Sequence, residues 1–285
     1  MRSDQEMYDL ILNTARQDDR IRAVILNGSR ANPNAQRDRL QDFDIVYIVR
    51  ELQTFLSKPG WIDRFGERIV MQTPDEMDDP YCEDRQRFAY LMQFCDGNRI
   101  DLTLITRRAF DTQPLDSLSV LLLDKDNDLP PFPAPTEANY LPKPPDEREF
   151  FNCCNEFWWV CPYVAKGLVR QEIPYARHMH EAVVRPQLFK MLTWYIGFKT
   201  DFKVNPGKNG KYFKRYLEAE LWEMLKKTYA NAEYDASWQA LFATCQLFNK
   251  IAQDVSTSLG WVYSPDEGIQ VQQYLRELNQ SQQID

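Results

Sequence analysis

The sequence predicts an α+β protein of two domains, a mixed sheet with flanking helices over residues 1–135 and a helical bundle over residues 136–285. Three observations lead there. Short β-rich apolar runs bounded by turn residues recur between residues 21 and 123. Seven prolines then crowd residues 130–145. Because proline fixes φ and removes an amide donor, that stretch reads as an extended connector and the domain boundary. Beyond it, apolar residues recur at helical spacing.

The elements follow in order. Ser3 and Glu6 have capping-box spacing, and Met7, Leu10, Ile11 and Ala15 recur at helical intervals, so a first helix is expected over residues 4–16. Strands are expected at 21–26 and 45–49, short helices near 52–57 and 61–65, and a strand at 68–72. Residues 88–94 and 99–105 form a hairpin through Asp96-Gly97, a two-residue turn signal, and residues 120–123 add a strand. In the second half, helices are expected over 146–168, with Pro162 as a kink or break, and over 175–199, 219–229, 237–259 and 267–278.

With 285 residues, 44% of them hydrophobic and 13% aromatic, the chain can build two cores and does not have the composition of a disordered segment. A net charge of −8 weighs against a nucleic-acid partner, which would be held through Lys and Arg, and suits a cationic small molecule. The six cysteines include no CxxC pair, and no histidine stands at ligand spacing. A zinc site or disulfide framework is therefore not expected, and reduced thiols in a cytoplasmic protein are. The polar start and the lack of a long apolar run predict neither a signal peptide nor a membrane span.

The chemistry concentrates in residues 21–49. The first strand ends in Gly28-Ser29, and the second opens with Asp42-Phe43-Asp44. Side chains alternate along a strand, so Asp42 and Asp44 share one face while Phe43 takes the other. Two like charges so close call for a counter-charge, and a divalent metal supplies it. In the hairpin, Ile100, Leu102 and Leu104 alternate with Asp101, which puts a third carboxylate opposite the apolar face. If its strand lies beside that of Asp44, the three acids could hold two Mg²⁺ ions about 3.5–4 Å apart, the arrangement suited to in-line displacement at phosphorus. A glycine after a strand lets backbone approach a phosphate, so Gly28 and Ser29, with Arg30 next to them, are candidates for holding the β- and γ-phosphates of a nucleotide, although Gly28 could also be a plain turn glycine.

Gly28-Ser29, twelve residues, Asp42-Phe43-Asp44 and a later strand carrying Asp101 resemble the signature of the DNA polymerase β-like nucleotidyltransferase superfamily. Nearly the whole chain is similar to the aminoglycoside 6-adenylyltransferases. MRSDQEM, LNGSRANPN with QDFDI, DGNRIDLTLI, LLLDKD, CCNEFWWV followed by YVAKGL, VRPQL, GKNGKYFKRYL and PDEGI carry that resemblance in order. It implies a polymerase β-like nucleotidyltransferase domain followed by a helical substrate-binding domain. It also implies Mg²⁺-dependent transfer of AMP from ATP to a hydroxyl of an aminoglycoside, the 6-hydroxyl of streptomycin, with release of pyrophosphate. Rival readings are the same fold acting on a lincosamide or a protein, and a catalytically silent nucleotide-binding module.

Each candidate has a plainer alternative. Asp101 is a metal ligand or the base that takes the acceptor's proton. Glu156, amid Asn155, Phe157, Trp158 and Trp159, is costly to bury alone; it either forms a structural salt bridge or, as the resemblance implies, meets substrate cations or serves as base in a cleft between the domains. Trp158 and Trp159 read as core. Lys166 and Lys211, the latter in the loop Lys208-Asn209-Gly210-Lys211, are solvated lysines or point charges for the triphosphate. The acidic run Asp75, Glu76, Asp78, Asp79, Glu83 and Asp84 reads as a solvated loop, or more sharply as a lip attracting a polycation. His178 and His180, two apart on a helix, are expected to be structural.

Overall fold

The computed structural model describes residues 1–82 and 84–281; Glu83 of the acidic run therefore lies outside the described residues. The chain divides into two compact units, Met1–Asn139 and Tyr140–Asp285.

The first unit is a six-stranded mixed sheet. Its strands are β1 (Ile21–Asn27), β2 (Phe43–Val49), β3 (Arg68–Gln72), β4 (Arg87–Phe94), β5 (Arg99–Thr106) and β6 (Ser119–Asp124), in the order β3-β4-β5-β2-β1-β6. All neighbours run antiparallel except β2 and β5, which are parallel. Helix α1 (Asp4–Gln17) begins with the anticipated capping box, Ser3 and Glu6 each accepting from the other's backbone. Its Met7, Ile11 and Ala15 are fully buried with Phe43, Ile45, Tyr47, Leu102 and Leu104. The Tyr47 hydroxyl donates to the Ile11 carbonyl at 2.7 Å, tying helix to sheet. A smaller cluster of Ala23, Ile25, Ile48 and Ile105, with Phe110 and Phe132, covers part of the other face.

Two local expectations need correction here. The β4–β5 connection is the four-residue loop 95–98 rather than a two-residue turn, because Asp96 is engaged elsewhere: it accepts from the backbone N–H and Nε of Arg2, at 3.0 and 2.7 Å. The acidic run is not simply solvated loop. Pro74–Asp78 forms a short helix, and Asp75 accepts from the Ala89 N–H at 2.7 Å, which pins the run to β4.

The second unit is helical. Its longer elements are α2 (Glu147–Val169), α3 (Ile173–His178), α4 (Arg185–Lys199), α5 (Ala219–Lys227), α6 (Tyr234–Leu259) and α7 (Asp266–Ser281), with a π-helical stretch, Met179–Val184, joining α3 to α4. α2 runs through Pro162 without a break, so of the expected kink or interruption the interruption does not occur. An interior proline costs ~3 kcal/mol. The buried Trp158, Cys161, Val164 and Ala165 around it each favour keeping the helix on the core, and a fully buried large apolar side chain contributes ~1.5–3 kcal/mol. Phe157 stacks on Phe248 of α6 with centroids 3.7 Å apart. His180 is buried against Thr244 Oγ1 at 3.0 Å, the structural role its position suggested. No described helix is long and apolar enough to cross a membrane, and the six cysteines are free thiols.

Candidate active site

Three adjacent strands carry the candidate centre. Register sets Asn27 of β1 opposite Asp44 of β2, and Asp44 opposite Asp101 of β5. Register partners on neighbouring strands project to the same side of a sheet. Asp44 and Asp101 therefore share the face opposite Phe43 and Ile100, which are both fully buried. Asp42, one residue before β2, reaches the same spot through a shared cation. Arg99 Nε stands 2.7 Å from Asp101 Oδ1 and 3.6 Å from Asp42 Oδ2, while Nη2 donates to Asp101 Oδ2 at 2.9 Å.

Gly28 closes the site from β1. Its φ of +68° lies in the left-handed region, and a Cβ placed there would come 2.2 Å from Asp44 Oδ2. Any side chain would displace the carboxylate, so glycine is required by backbone and by space. The Gly28 N–H donates to the Leu118 carbonyl at 3.1 Å, and the helical turn Gly28–Ala31 follows, closed by Asn32 N–H to Gly28 O at 3.2 Å. Amides in the first turn of a helix have no intrahelical acceptor, and Ser29 stands in that turn.

Charge is costly at this point. Burial above all, then the negative charges of Asp101 and Asp42, push the Asp44 carboxyl up to about 6. Asp42 is also raised, again chiefly by burial. Arg99 opposes both shifts and is itself held charged by Asp101. The donor set, oxygen-only and acidic on rigid strands, has the chemistry that hard divalent cations take. As the side chains stand, no three acidic, histidine or cysteine groups among the described residues are gathered closely enough to hold a metal ion. The reason is visible in the contacts: Asp101 gives both oxygens to Arg99, and Asp44 Oδ2 is turned to Gly28.

A cavity of about 210 Å³ adjoins this row on the same face, lined by Asn27, Val46, Thr103, Phe110, Leu115 and Ser119 among others. Ser119 Oγ donates to Asn27 Oδ1 at 2.8 Å at its rim. A larger hollow of about 900 Å³, between Met71, Tyr81, Arg85 and Phe88, touches none of the predicted catalytic or nucleotide-binding residues, though Glu76 and Asp84 of the acidic run line it.

Arg30 departs from its expected place on the phosphates. Its guanidinium is buried, stacked 3.7 Å over the Phe43 ring, and donates to Asp4 Oδ2 at 2.8 Å and to the carbonyls of Gln41 and Asp42. It braces the main chain that presents Asp42. In the helical unit, Glu156 is exposed on α2, Lys166 is exposed with Nζ 5.5 Å from the Tyr163 ring, and Lys211 is exposed after the turn Lys208–Gly210, with Nζ 4.9 Å from the Tyr212 ring. Trp158 is core at 1% exposure, whereas Trp159, expected beside it, is 64% exposed. One helical residue turns the side chain by about 100°, which carries it off the buried stripe.

Arg99 was missed from sequence. The signal was present, since Arg99 and Asp101 are two apart on one strand and must share a face.

The family model and the curated relatives agree. The family model for streptomycin adenylyltransferase matches residues 1–278. An aminoglycoside 6-adenylyltransferase of Campylobacter jejuni is 43% identical over 92% of this chain and 91% of its own length. One from Bacillus subtilis (strain 168) is also 43% identical, over 94% and 96%. A crystal structure of an aminoglycoside 6-adenyltransferase from Bacillus subtilis shares 37% identity over 98% of this chain and 99% of that one, with a TM-score of 0.47.

Proposed function

The chain belongs to the streptomycin adenylyltransferase family, whose members are nucleotidyltransferase enzymes, and from that premise we propose that it transfers AMP from ATP to an aminoglycoside hydroxyl, the 6-hydroxyl of streptomycin, releasing pyrophosphate. The observation that carries the reading is the row Asn27–Asp44–Asp101, with Gly28 against Asp44 and Asp42 joined to it through Arg99.

Asp42 and Asp44 would hold Mg²⁺, with Asp101 as third oxygen ligand or as the base for the acceptor hydroxyl. The bound ions would supply charge stabilisation at the α-phosphate and the leaving pyrophosphate. Gly28 keeps the Asp44 carboxylate in place, and Ser29 presents backbone to the triphosphate. Arg30 holds the carbonyl of Asp42 and so steadies the backbone, just ahead of β2, that carries its carboxylate. Arg99 offsets part of the acids' charge, and it must release Asp101 before those oxygens can act. In the helical unit, exposed Glu156 would meet the acceptor's positive charge, and Lys166 and Lys211 would supply mobile charges for phosphate. A reaction that consumes ATP belongs in the cytoplasm.

Incubation with ATP, Mg²⁺ and streptomycin is expected to give a product heavier by one AMP unit, read by mass spectrometry. Absence of any such product across a panel of aminoglycosides overturns the proposal. The double variant Asp42→Asn with Asp44→Asn is expected to fold and to be inactive; retained turnover would remove both residues from the chemistry.

A further inference from the structure

Trp159 is the largest side chain that α2 leaves in water. Residues 152, 156, 159 and 163 follow at steps of four, three and four, and 155 is four before 159, so Asn152, Asn155, Glu156, Trp159 and Tyr163 line one stripe of the helix. All are exposed except Tyr163, which is half-buried. The indole and phenol rings lie 6.5 Å apart, inclined at 60°. The opposite stripe, Cys154, Phe157, Trp158 and Cys161, is core, so the exposed one is not needed for packing.

The chemistry of the stripe selects its ligand. A carboxylate beside two aromatic faces repels anions and attracts cations, since both the charge and the ring quadrupoles favour positive groups. Two side-chain amides, each able to donate and accept, match hydroxyl groups. A purely apolar ligand would leave Glu156 and both asparagines without partners, at a desolvation cost. A polyhydroxylated ring bearing guanidinium or ammonium groups uses every member. Lys166, whose ammonium sits 5.5 Å from the Tyr163 ring, sets the direction: it repels a cation from that end and leaves the Glu156–Trp159 end for it.

We propose that the exposed stripe of α2 around Glu156, Trp159 and Tyr163 is the surface that recognises the cationic aminocyclitol of the acceptor, with the Trp159 indole as the stacking face. This rests on the reading of the chain as an aminoglycoside adenylyltransferase. It goes further in naming Trp159 and the two asparagines as specificity residues.

The test is titration calorimetry of streptomycin into wild type, Trp159→Ala, Trp159→Phe and Glu156→Gln without nucleotide, beside steady-state kinetics. Trp159→Ala is expected to bind streptomycin roughly 2- to 30-fold more weakly, the span of a cation–π contact from exposed to desolvated. Trp159→Phe should retain part of the affinity, and KM for ATP should stay at the wild-type value in both. Because Trp159 is exposed, circular dichroism is expected to show an intact helical unit. Unchanged streptomycin affinity in Trp159→Ala and Glu156→Gln, with an active wild type, overturns this inference and leaves the function standing. A wild type that binds streptomycin but adenylylates no aminoglycoside overturns the function and leaves the binding surface. A wild type that does not bind streptomycin overturns the inference outright.

Discussion

Replacing Asp44 by Asn removes a charge that the folded state disfavours, so the variant is expected to gain stability in the N-terminal unit as it loses activity. The magnitude follows from the environment. Burial and two neighbouring carboxylates hold the Asp44 carboxyl at about 6 rather than the ordinary 3.8, a difference of roughly 3 kcal/mol between its protonation states. The sign is set by which state holds the proton. Between pH ~4 and ~6 the folded chain keeps a proton that the unfolded chain has released, so stability falls as pH rises through that window and is flat above it. Asn cannot ionise and avoids the loss. In metal-free buffer, the advantage of Asp44→Asn should be near zero at pH 4, open across pH 4–6, and reach at most about 3 kcal/mol at pH 7. Two units need not unfold together, so the assay is hydrogen exchange by mass spectrometry on peptides from β1 and β4. β4 is in the same sheet but does not pair with β2, whereas β1 pairs with it directly, so the β4 peptides report the unit and the β1 peptides the local effect, and variant and wild type are compared at each pH. A variant less stable than wild type at pH 7, or an advantage independent of pH, would refute the reasoning.

Further outcomes are expected at other positions. Gly28→Ala must adopt φ near +68° and place its Cβ 2.2 Å from Asp44 Oδ2. The left-handed backbone costs ~1–2 kcal/mol, and moving the carboxylate should cut kcat on the order of 100-fold, read against unchanged tryptophan emission from the helical unit. Arg99→Gln should alter stability by less than ~1 kcal/mol, because its ion pairs are partly solvated. It should, however, move the acid limb of the pH–kcat profile upward, since Arg99 holds Asp44 down; an unmoved limb would count against that role. His180 is kept neutral by burial, its pKa lowered to about 4 from 6.5. The unfolded chain therefore takes up the proton first, and the helical unit should lose up to about 3 kcal/mol as pH falls from ~6.5 to ~4. A urea midpoint followed by tryptophan emission, which comes from the helical unit at six of the seven tryptophans, should show that loss in wild type and less of it in His180→Asn.

Features governed by short-range rules were legible in the sequence. The capping box at Ser3 and Glu6, the alternation that sets Asp44 and Asp101 opposite Phe43 and Ile100, and the proline-dense stretch each follow from neighbours a few residues apart. The parallel pairing of β2 with β5 spans more than fifty residues, and periodicity within a strand does not name its partner. Arg30 shows a different limit. An arginine after a glycine-serine pair suggests a phosphate ligand, but the fold brings Phe43, Asp4 and two carbonyls around it, and none of these is signalled by its neighbours in the chain. Trp159 was decidable in principle. The stripe Cys154, Phe157, Trp158 and Cys161 fixes the phase of α2 and leaves the next residue outside it.

The cost at Asp44 also explains why the centre sits on strands. On β2 the two residues flanking Asp44 are Phe43 and Ile45, both buried on the other face. Each such side chain contributes ~1.5–3 kcal/mol by leaving water, so together they offset the ~3 kcal/mol that one disfavoured carboxylate withholds. A slip of one residue in register would send Asp44 into that core and Phe43 out, reversing both terms, so the pairing is strongly specified where the charge is least welcome. Gly28, which leaves the space that the Asp44 carboxylate occupies, and Arg99, which answers only part of its charge, leave an anion whose energy a cation can lower further. Proton and cation then compete for the same oxygens near pH 6, and what folding gives up at Asp44 becomes driving force for binding a positive ion there.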